Sequence, residues 1–297
     1  MKLSVVITTY NRPKLLVRAV NSVIAARTSD IMIDIIVVDD ASTTLPPEFN
    51  HDNITYYRLP VNRGHCLAKM QGLALAKTQW VLVMDDDDVL VKSSLPLLAE
   101  ILKRSDMADY PVIQCATSNG KLKHAYLLLD FNSYLSKEIE GDFTAVFNRQ
   151  RFLQTGLSFP DNRAGGEHIV WWQLADDYGI PTYQFILVTI GDDAPVRLTS
   201  CTSQIKRAAD HQALAELTLA KFGERLRVSY PQEYQRRHLA RVTYSLLSQK
   251  RKQARHYLQK SPFKWYLKTA FWLVSWLPLF CLQRAFTGYR WLQQKRV

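Results

Sequence analysis

Residues 80–90 read WVLVMDDDDVL. The run Trp80–Met84 is apolar without a break, the pattern of a strand buried on both faces of a sheet. It delivers four consecutive acids, Asp85, Asp86, Asp87 and Asp88, before the chain turns apolar again. Like charges side by side repel one another, so the cluster calls for a cation. The Asp-x-Asp spacing of Asp85 and Asp87 offers hard carboxylate oxygens to a divalent ion such as Mn²⁺ or Mg²⁺, with positions left for phosphate oxygens and water. The competing reading is a solvated acidic turn that happens to follow a strand.

Upstream of this run the same pattern recurs. LSVVITT (Leu3–Thr9) is a near-continuous β-branched run that ends in Tyr10-Asn11-Arg12-Pro13, and IDIIVVDD (Ile33–Asp40) again ends in acids. Between them Leu15, Leu16, Ala19, Val20, Val23 and Ile24 fall on one helical stripe after Pro13. NITYYRL (Asn53–Leu59) reads as a further strand, and a helix with small residues covers about Gly64 to Lys77. Strand, helix, strand, strand, helix, strand is an α/β pattern, and right-handed crossovers make the sheet mostly parallel with helices on its faces. Ligands of such sheets bind beyond the carboxyl ends of the strands. There the topology collects Thr8 to Asn11, Asp39-Asp40 and Asp85 to Asp88.

Further on, Ser93-Ser94 reads as the cap of a helix that runs to about Arg104. Residues 105–142 follow no single period. FTAVFN (Phe143–Asn148) is a strand leading into a helix over Arg149–Gly156, Glu167–Tyr178 has helical spacing, and TYQFILVTI (Thr182–Ile190) is another buried strand.

The net charge of +11 becomes informative once it is located. From Lys221 to Val297 there are 17 Lys and Arg against two acids, Glu224 and Glu233, whereas residues 1–220 hold 21 basic residues against 25 acids. This places a domain border near residue 210, with a catalytic body over 1–210 and a basic helical region over 211–297. Residues 263–292, FKWYLKTAFWLVSWLPLFCLQRAFTGYRWL, carry four of the seven tryptophans among Lys264, Lys268, Arg284 and Arg290. The uncharged stretch is too short to span a bilayer and is interrupted by Pro278. Mixed aromatic and basic residues suit a helix lying in the headgroup region of an anionic membrane; the alternative is a helix packed on the body. No nucleic-acid reader motif accompanies the charge. Four cysteines with no CxxC pair fit neither zinc nor a disulfide framework, and the N-terminus has no signal-peptide pattern, so a cytoplasmic, membrane-peripheral location on the inner face is expected.

The motifs in series resemble those of a family 2 glycosyltransferase of the GT-A fold. VVITTYNRPKLL is similar to that family's opening strand and nucleotide loop, IIVVDDAS to its second-strand signature, and NRGHCLAKMQGLALAKTQWVLVMDDDD to its Asn-x-Gly, Ala-Arg-Asn-x-Gly and Asp-x-Asp series. The resemblance is strongest over residues 3–100 and weaker to about residue 200. It implies an inverting transferase that uses a nucleotide sugar and a divalent metal. Thr8, Tyr10 and Asn11 would line the nucleoside loop, with Tyr10 near the base. Asp39 would accept a hydrogen bond from the base, which suits the imide of uracil and a UDP-linked donor. Asp85 would lie near ribose and metal, Asp87 would ligate the metal, and Asp86 and Asp88 would support them at the nucleotide site. Lys69 stands where the family has an arginine, which keeps a charge but loses the bidentate fork. Met70 replaces an asparagine.

The catalytic base is the departure from the family pattern. Where the family reads Gly-Glu-Asp, this chain has Gly166-Glu167-His168, so the base that deprotonates the acceptor hydroxyl is either Glu167 or His168. Trp171 and Trp172 would floor an acceptor sugar or belong to the core. Arg197 is either a diphosphate contact or a surface arginine. The resemblance implies a growing, lipid-linked bacterial surface glycan as acceptor. Two other classes fit parts of the chain. A haloacid-dehalogenase phosphatase would use Asp85-x-Asp87 as its nucleophile loop, and a non-catalytic sugar-nucleotide binder would explain the missing aspartate.

Overall fold

The computed structural model describes residues 1–49, 51–136, 138–193 and 200–294. Its strands are β1 (Lys2–Thr9), β2 (Met32–Asp39), β3 (Ile54–Arg58), β4 (Trp80–Asp85), β5 (Val89–Leu90), β6 (Val112–Thr117), β7 (Lys121–Leu122), β8 (Tyr126–Leu129), β9 (Ile139–Glu140), β10 (Phe143–Asn148) and β11 (Ile180–Thr189). The α-helices are α1 (Pro13–Ala26), α2 (His65–Leu75), α3 (Leu95–Lys103), α4 (Phe131–Leu135), α5 (Arg149–Gln154), α6 (Glu167–Asp177), α7 (Cys201–Lys206), α8 (Ala208–Ser229), α9 (Pro231–Leu247), α10 (Arg251–Gln259), α11 (Trp265–Val274) and α12 (Leu279–Gln294).

The main sheet has the order β3-β2-β1-β4-β10-β6-β11-β5, with β8 added beside β11. The first four strands pair in parallel, β10 runs antiparallel to both β4 and β6, and β6 pairs in parallel with β11. Six strands therefore point the same way, and the one long strand of opposite direction is β10, set into the middle of the sheet. The period-two alternation of a strand feeds two cores. Leu3, Val5 and Ile7 face α1 and α3, whereas Val6 packs with Ala68 and Leu73 of α2 and with Val170 and Leu174 of α6. Helix α2 lies so close that a Cβ on Gly72 would stand 2.2 Å from Val6 Cγ1.

The stretch 105–142 contains β6, a central strand with all six residues buried. Its sequence, VIQCAT, hides that role because Gln114 interrupts the apolar run; the Gln114 side chain accepts a hydrogen bond from the Tyr134 hydroxyl at 2.9 Å. The expected cap at Ser93-Ser94 does not form. Ser94 sits in helical backbone at the end of a 3₁₀ turn, and its hydroxyl donates instead to the Ile186 carbonyl at 2.5 Å.

The chain folds as two compact units, Met1–Asp161 with Gly165–Ala194, and Asn162–Ala164 with Pro195–Val297. The second unit is helical. Its core gathers Ala208, Val242, Leu246 and Leu247 with Ala254, Leu258, Leu282 and Phe286. Among the described residues, no helix is long and apolar enough to cross a membrane.

Candidate active site

Each strand that ends at the sheet's carboxyl edge hands its last residues to a neighbour. Thr8 lies opposite Asp85 in the β1–β4 register, and its hydroxyl donates to Asp85 Oδ1 at 3.4 Å. Thr9 donates to Asp86 Oδ2 at 2.6 Å, and Arg12 donates to Asp86 Oδ1 at 3.0 Å and reaches Asp87 Oδ2 at 3.4 Å. Arg18 of α1 grips the following turn, donating to the Asp87 carbonyl at 2.7 Å while pairing with Asp193 beyond β11. Gly191 is required there, because a Cβ would stand 2.0 Å from the Asp87 carbonyl oxygen. The four acids therefore have different partners. Asp85 is the most open, Asp86 is buried beneath it, Asp87 faces Arg12, and Asp88 accepts from the Gly191 N–H at 3.3 Å.

The charge left uncompensated shows in the two inner acids. Burial pushes the Asp86 carboxyl up to about 6, against the pull of Thr9 and Arg12. Burial, reinforced by repulsion from Asp85 and Asp87, pushes Asp88 up to about 7. A cluster that cannot keep all its carboxylates ionised unaided, and whose open members offer only hard oxygen donors, fits a divalent cation of the Mg²⁺ or Mn²⁺ kind. Asp85 and Asp87 are the members whose carboxylate oxygens could hold it, beside Lys69 and Arg12.

Lys69 of α2 joins this edge to α6. Its ammonium lies 3.1 Å from Asp85 Oδ1 and 2.8 Å from Glu167 Oε1. Burial works against the Lys69 charge, but the two carboxylates more than offset it and hold the group above the ordinary lysine range. Burial likewise pushes Glu167 up, and Lys69 and His65 pull it further down, below the usual carboxylate range. Glu167 reaches this position because Gly165 and Gly166 both take positive φ, 102° and 117°, at the entry to α6. That backbone is readily open only to glycine. His168, one residue on and about 100° around the helix, packs edge-on against Trp172 at 5.2 Å.

The nucleoside side of the edge is built on Asp39. It is fully buried, with Oδ1 accepting the Ser42 N–H at 2.8 Å and Oδ2 accepting the Tyr56 hydroxyl, while Arg58 Nε lies 3.8 Å from Oδ2. Asn11, at φ 55°, uses its carbonyl on Thr43 N at 2.7 Å and Thr44 N at 3.2 Å. It ties the β1 and β2 end loops together, and Tyr10 beside it is 43% exposed.

The structure thus brings Thr8, Asp39, Lys69, Asp85, Asp86, Asp87 and Glu167 to one edge. It does not give Trp172 an acceptor-facing surface, since that ring is 4% exposed between Phe131 and His168. Trp171 leans on Phe147 and Phe159 as part of the second core. Arg197 lies outside the described residues. Thr9 belonged to the strand-end cluster Thr8 to Asn11 but was given no role, and sequence reasoning missed Arg12, Tyr56 and His65. Arg12 stands in the Tyr-Asn-Arg-Pro stretch already singled out, so its place at the end of β1 was a usable signal. Tyr56 had none, because its position opposite Val37 depends on the β2–β3 register.

Comparison with known proteins agrees with this geometry. The glycosyl transferase family 2 model matches residues 4–165. An uncharacterized glycosyltransferase of Mycoplasma genitalium, MG060, is 29% identical over 113 residues, 35% of this chain and 38% of that protein. The putative colanic acid biosynthesis glycosyl transferase WcaA of Escherichia coli is 33% identical over 92 residues, 29% of this chain and 32% of that one. The matched stretch thus spans about a third of these relatives' length. Among solved structures, Staphylococcus aureus TarS 1–349, crystallised with UDP-GlcNAc, superposes with a TM-score of 0.56 at 18% identity, covering 86% of this chain and 88% of that one. That likeness is one of GT-A fold. The phosphatase alternative leaves β1 to β3 without a role, whereas the family match begins at residue 4 and takes in all three strands. The chain belongs to glycosyl transferase family 2.

Proposed function

We propose that the chain is an inverting, metal-dependent glycosyltransferase. It moves a sugar from a UDP-linked donor to a hydroxyl of a growing, lipid-linked bacterial surface glycan, working at the cytoplasmic face of the inner membrane. The observation that carries this reading is the bridge through Lys69. One ammonium holds Asp85, on the donor side, and Glu167, at the head of α6, within a single charge network.

In this reading Asp39 receives the imide N–H of uracil. Its two oxygens have lone pairs beyond those given to Ser42 and Tyr56. Thr8 and Tyr10 border the nucleoside, while Asn11 and Asp86 hold the loops that carry them. A divalent cation held by Asp85 and Asp87 would supply charge neutralisation for the departing diphosphate. Glu167 takes the proton of the acceptor hydroxyl as that oxygen attacks the anomeric carbon from the side opposite the diphosphate. It is ionised across the physiological range because Lys69 and His65 face it, so it is always ready to accept a proton. Lys69 keeps Asp85 and Glu167 from repelling each other before substrate arrives. Support for a UDP-sugar comes from Asp39 and from the fold shared with TarS, which was crystallised with UDP-GlcNAc. Support for a surface glycan comes from WcaA, named for colanic acid biosynthesis. The basic C-terminal helices would meet the anionic membrane where a lipid-linked acceptor is presented.

The test is a panel of UDP- and GDP-sugars assayed for donor turnover with Mn²⁺, with Mg²⁺ and with chelator. Turnover of a UDP-sugar that chelator abolishes is the expected result. Turnover confined to GDP-sugars would remove the role given to Asp39, and metal-independent turnover would remove that of Asp87.

A further inference from the structure

The C-terminal helices carry an apolar face whose composition and surroundings point to a specific occupant. Helix α11 buries none of its residues, and Trp265 is 78% exposed. Across the turn into α12, Trp272, Leu273, Trp276, Leu277 and Phe280 are all at least 40% exposed. An apolar stretch of this kind is unusual on a surface that meets only water.

The turn is built to keep that face out. Arg251 of α10 donates to the Leu277 carbonyl at 2.8 Å, and Arg255 donates to Ser275 Oγ at 2.8 Å with its guanidinium 3.9 Å from the centre of the Trp276 ring. Leu282 and Phe286, on the other side of α12, are in the core with Val242, Leu246 and Leu258. One side of the α11–α12 segment therefore anchors in the helical unit while the tryptophan side faces outward. The arginines that brace the turn also place positive charge at its rim.

Charge decides which partner fits. From residue 234 to 297 the sequence contains no Asp or Glu, while Lys264, Lys268 and Arg284 stand among its apolar residues. A second copy of this face would bring the same cations together with no acid of this region to neutralise them. An anionic bilayer supplies both what the tryptophans lack and what the cations lack: tryptophan rings settle at the headgroup boundary, and lysine and arginine pair with anionic headgroups. Helix α11 has only 10 residues, too few to cross, so the segment lies in one leaflet.

We infer that the α11–turn–α12 segment is a monotopic wedge that inserts Trp272, Trp276 and Phe280 into the outer few ångströms of a bilayer containing anionic phospholipid. This deepens the membrane part of the proposed function, and its test does not depend on the proposed donor or acceptor. The full chain is sedimented with vesicles of phosphatidylcholine alone and of phosphatidylcholine with phosphatidylglycerol. Binding is expected to the anionic vesicles, at least about tenfold weaker to the neutral ones, and weakened by salt. Lipids brominated along the chain should quench the tryptophan fluorescence of the unaltered protein. The triple variant Trp272→Ser, Trp276→Ser, Phe280→Ser should lose at least about tenfold in vesicle affinity while keeping its thermal midpoint and its turnover of soluble donor. Equal vesicle binding by this variant, absence of quenching, or a dimer in solution that the variant dissolves would each overturn the inference. Absence of donor turnover in the unaltered protein, with its binding to anionic vesicles and its quenching as expected, would instead count against the catalytic reading alone.

Discussion

The end of β4 and the C-terminal helices both concentrate charge of one sign, and they differ in how the chain answers it. Around Asp85–Asp88 the answer is internal. Thr9, Arg12, Lys69 and Gly191 reach named carboxylates, and Asp86 and Asp88 are left with raised affinity for protons. From residue 234 onward no acid is provided at all, and the basic side chains stand at the rim of exposed tryptophans. A cluster matched residue by residue is shaped to take one small ligand in one geometry. An unmatched field is shaped to take a surface.

The sharpest way to break this contrast is to remove one matched charge. Asp87→Ala should lower donor turnover by roughly 10³-fold while the fold is kept, since a metal ligand acts on the transition state and Asp87 is not part of the core. A loss below tenfold would mean that the cluster is a solvated turn. Next in size, Glu167→Gln should cost about 10²- to 10³-fold in transfer with donor affinity little changed. His168→Ala should cost much less, because its ring is occupied by Trp172. The pH profile separates the two candidate bases. A base is active when deprotonated, and Glu167 lies below the usual carboxylate range. The acid limb that the base sets in kcat/KM should therefore lie below the usual carboxylate range, whereas an imidazole base would lose activity near pH 6.5. Lys69→Ala should cost roughly 10- to 100-fold and move that limb upward, because Glu167 would lose the cation that keeps it ionised; Lys69→Arg should restore much of both.

The strands of the first half were legible because each is a closed run of buried apolar residues ending in polar ones, and parallel topology then placed those ends together. That is why Thr8, Asp39, Asp85 and Asp87 could be named from the sequence. The stretch 105–142 was less legible because its strands are short or, like β6, carry a buried polar residue such as Gln114, whose partner Tyr134 comes from a later element. The different surroundings of Glu167, at Lys69, and His168, at Trp172, were also invisible. They depend on the two positive-φ glycines that aim α6, and adjacent residues on a helix part by about 100°. Asn11 shows a different limit: sequence placed it on the right loop, but only geometry shows its side chain spent on Thr43 and Thr44.

The smallest effect expected lies in the basic unit, where one cationic site is kept neutral. His238 is buried beside Arg241, which donates to its Nδ1 at 3.0 Å, and burial first, then that neighbouring charge, lowers it to about 4. In the unfolded chain the imidazole takes up a proton near pH 6.5, and in the folded unit only near 4. Its contribution to stability is thus complete above pH 6.5 and is lost as pH falls toward 4, by about 1–2 kcal/mol. Thermal midpoints measured from pH 7.5 to 4.5 should fall, and His238→Gln should flatten part of that slope. An unchanged slope would mean that His238 titrates alike in both states.

The placement of β10 has a consequence for how the chain is made. Strand β4 emerges from the ribosome with β1 as its parallel partner, but its other edge is filled only when residues 143–148 arrive. Until then WVLVM is an open, fully apolar edge, the kind of segment that recruits strands from other chains. It is followed at once by four acids, which act as a gatekeeper that discourages stacking while the edge waits. Substitutions that neutralise Asp86 or Asp88 should therefore be felt first as loss of soluble yield during synthesis, ahead of any effect on the finished enzyme.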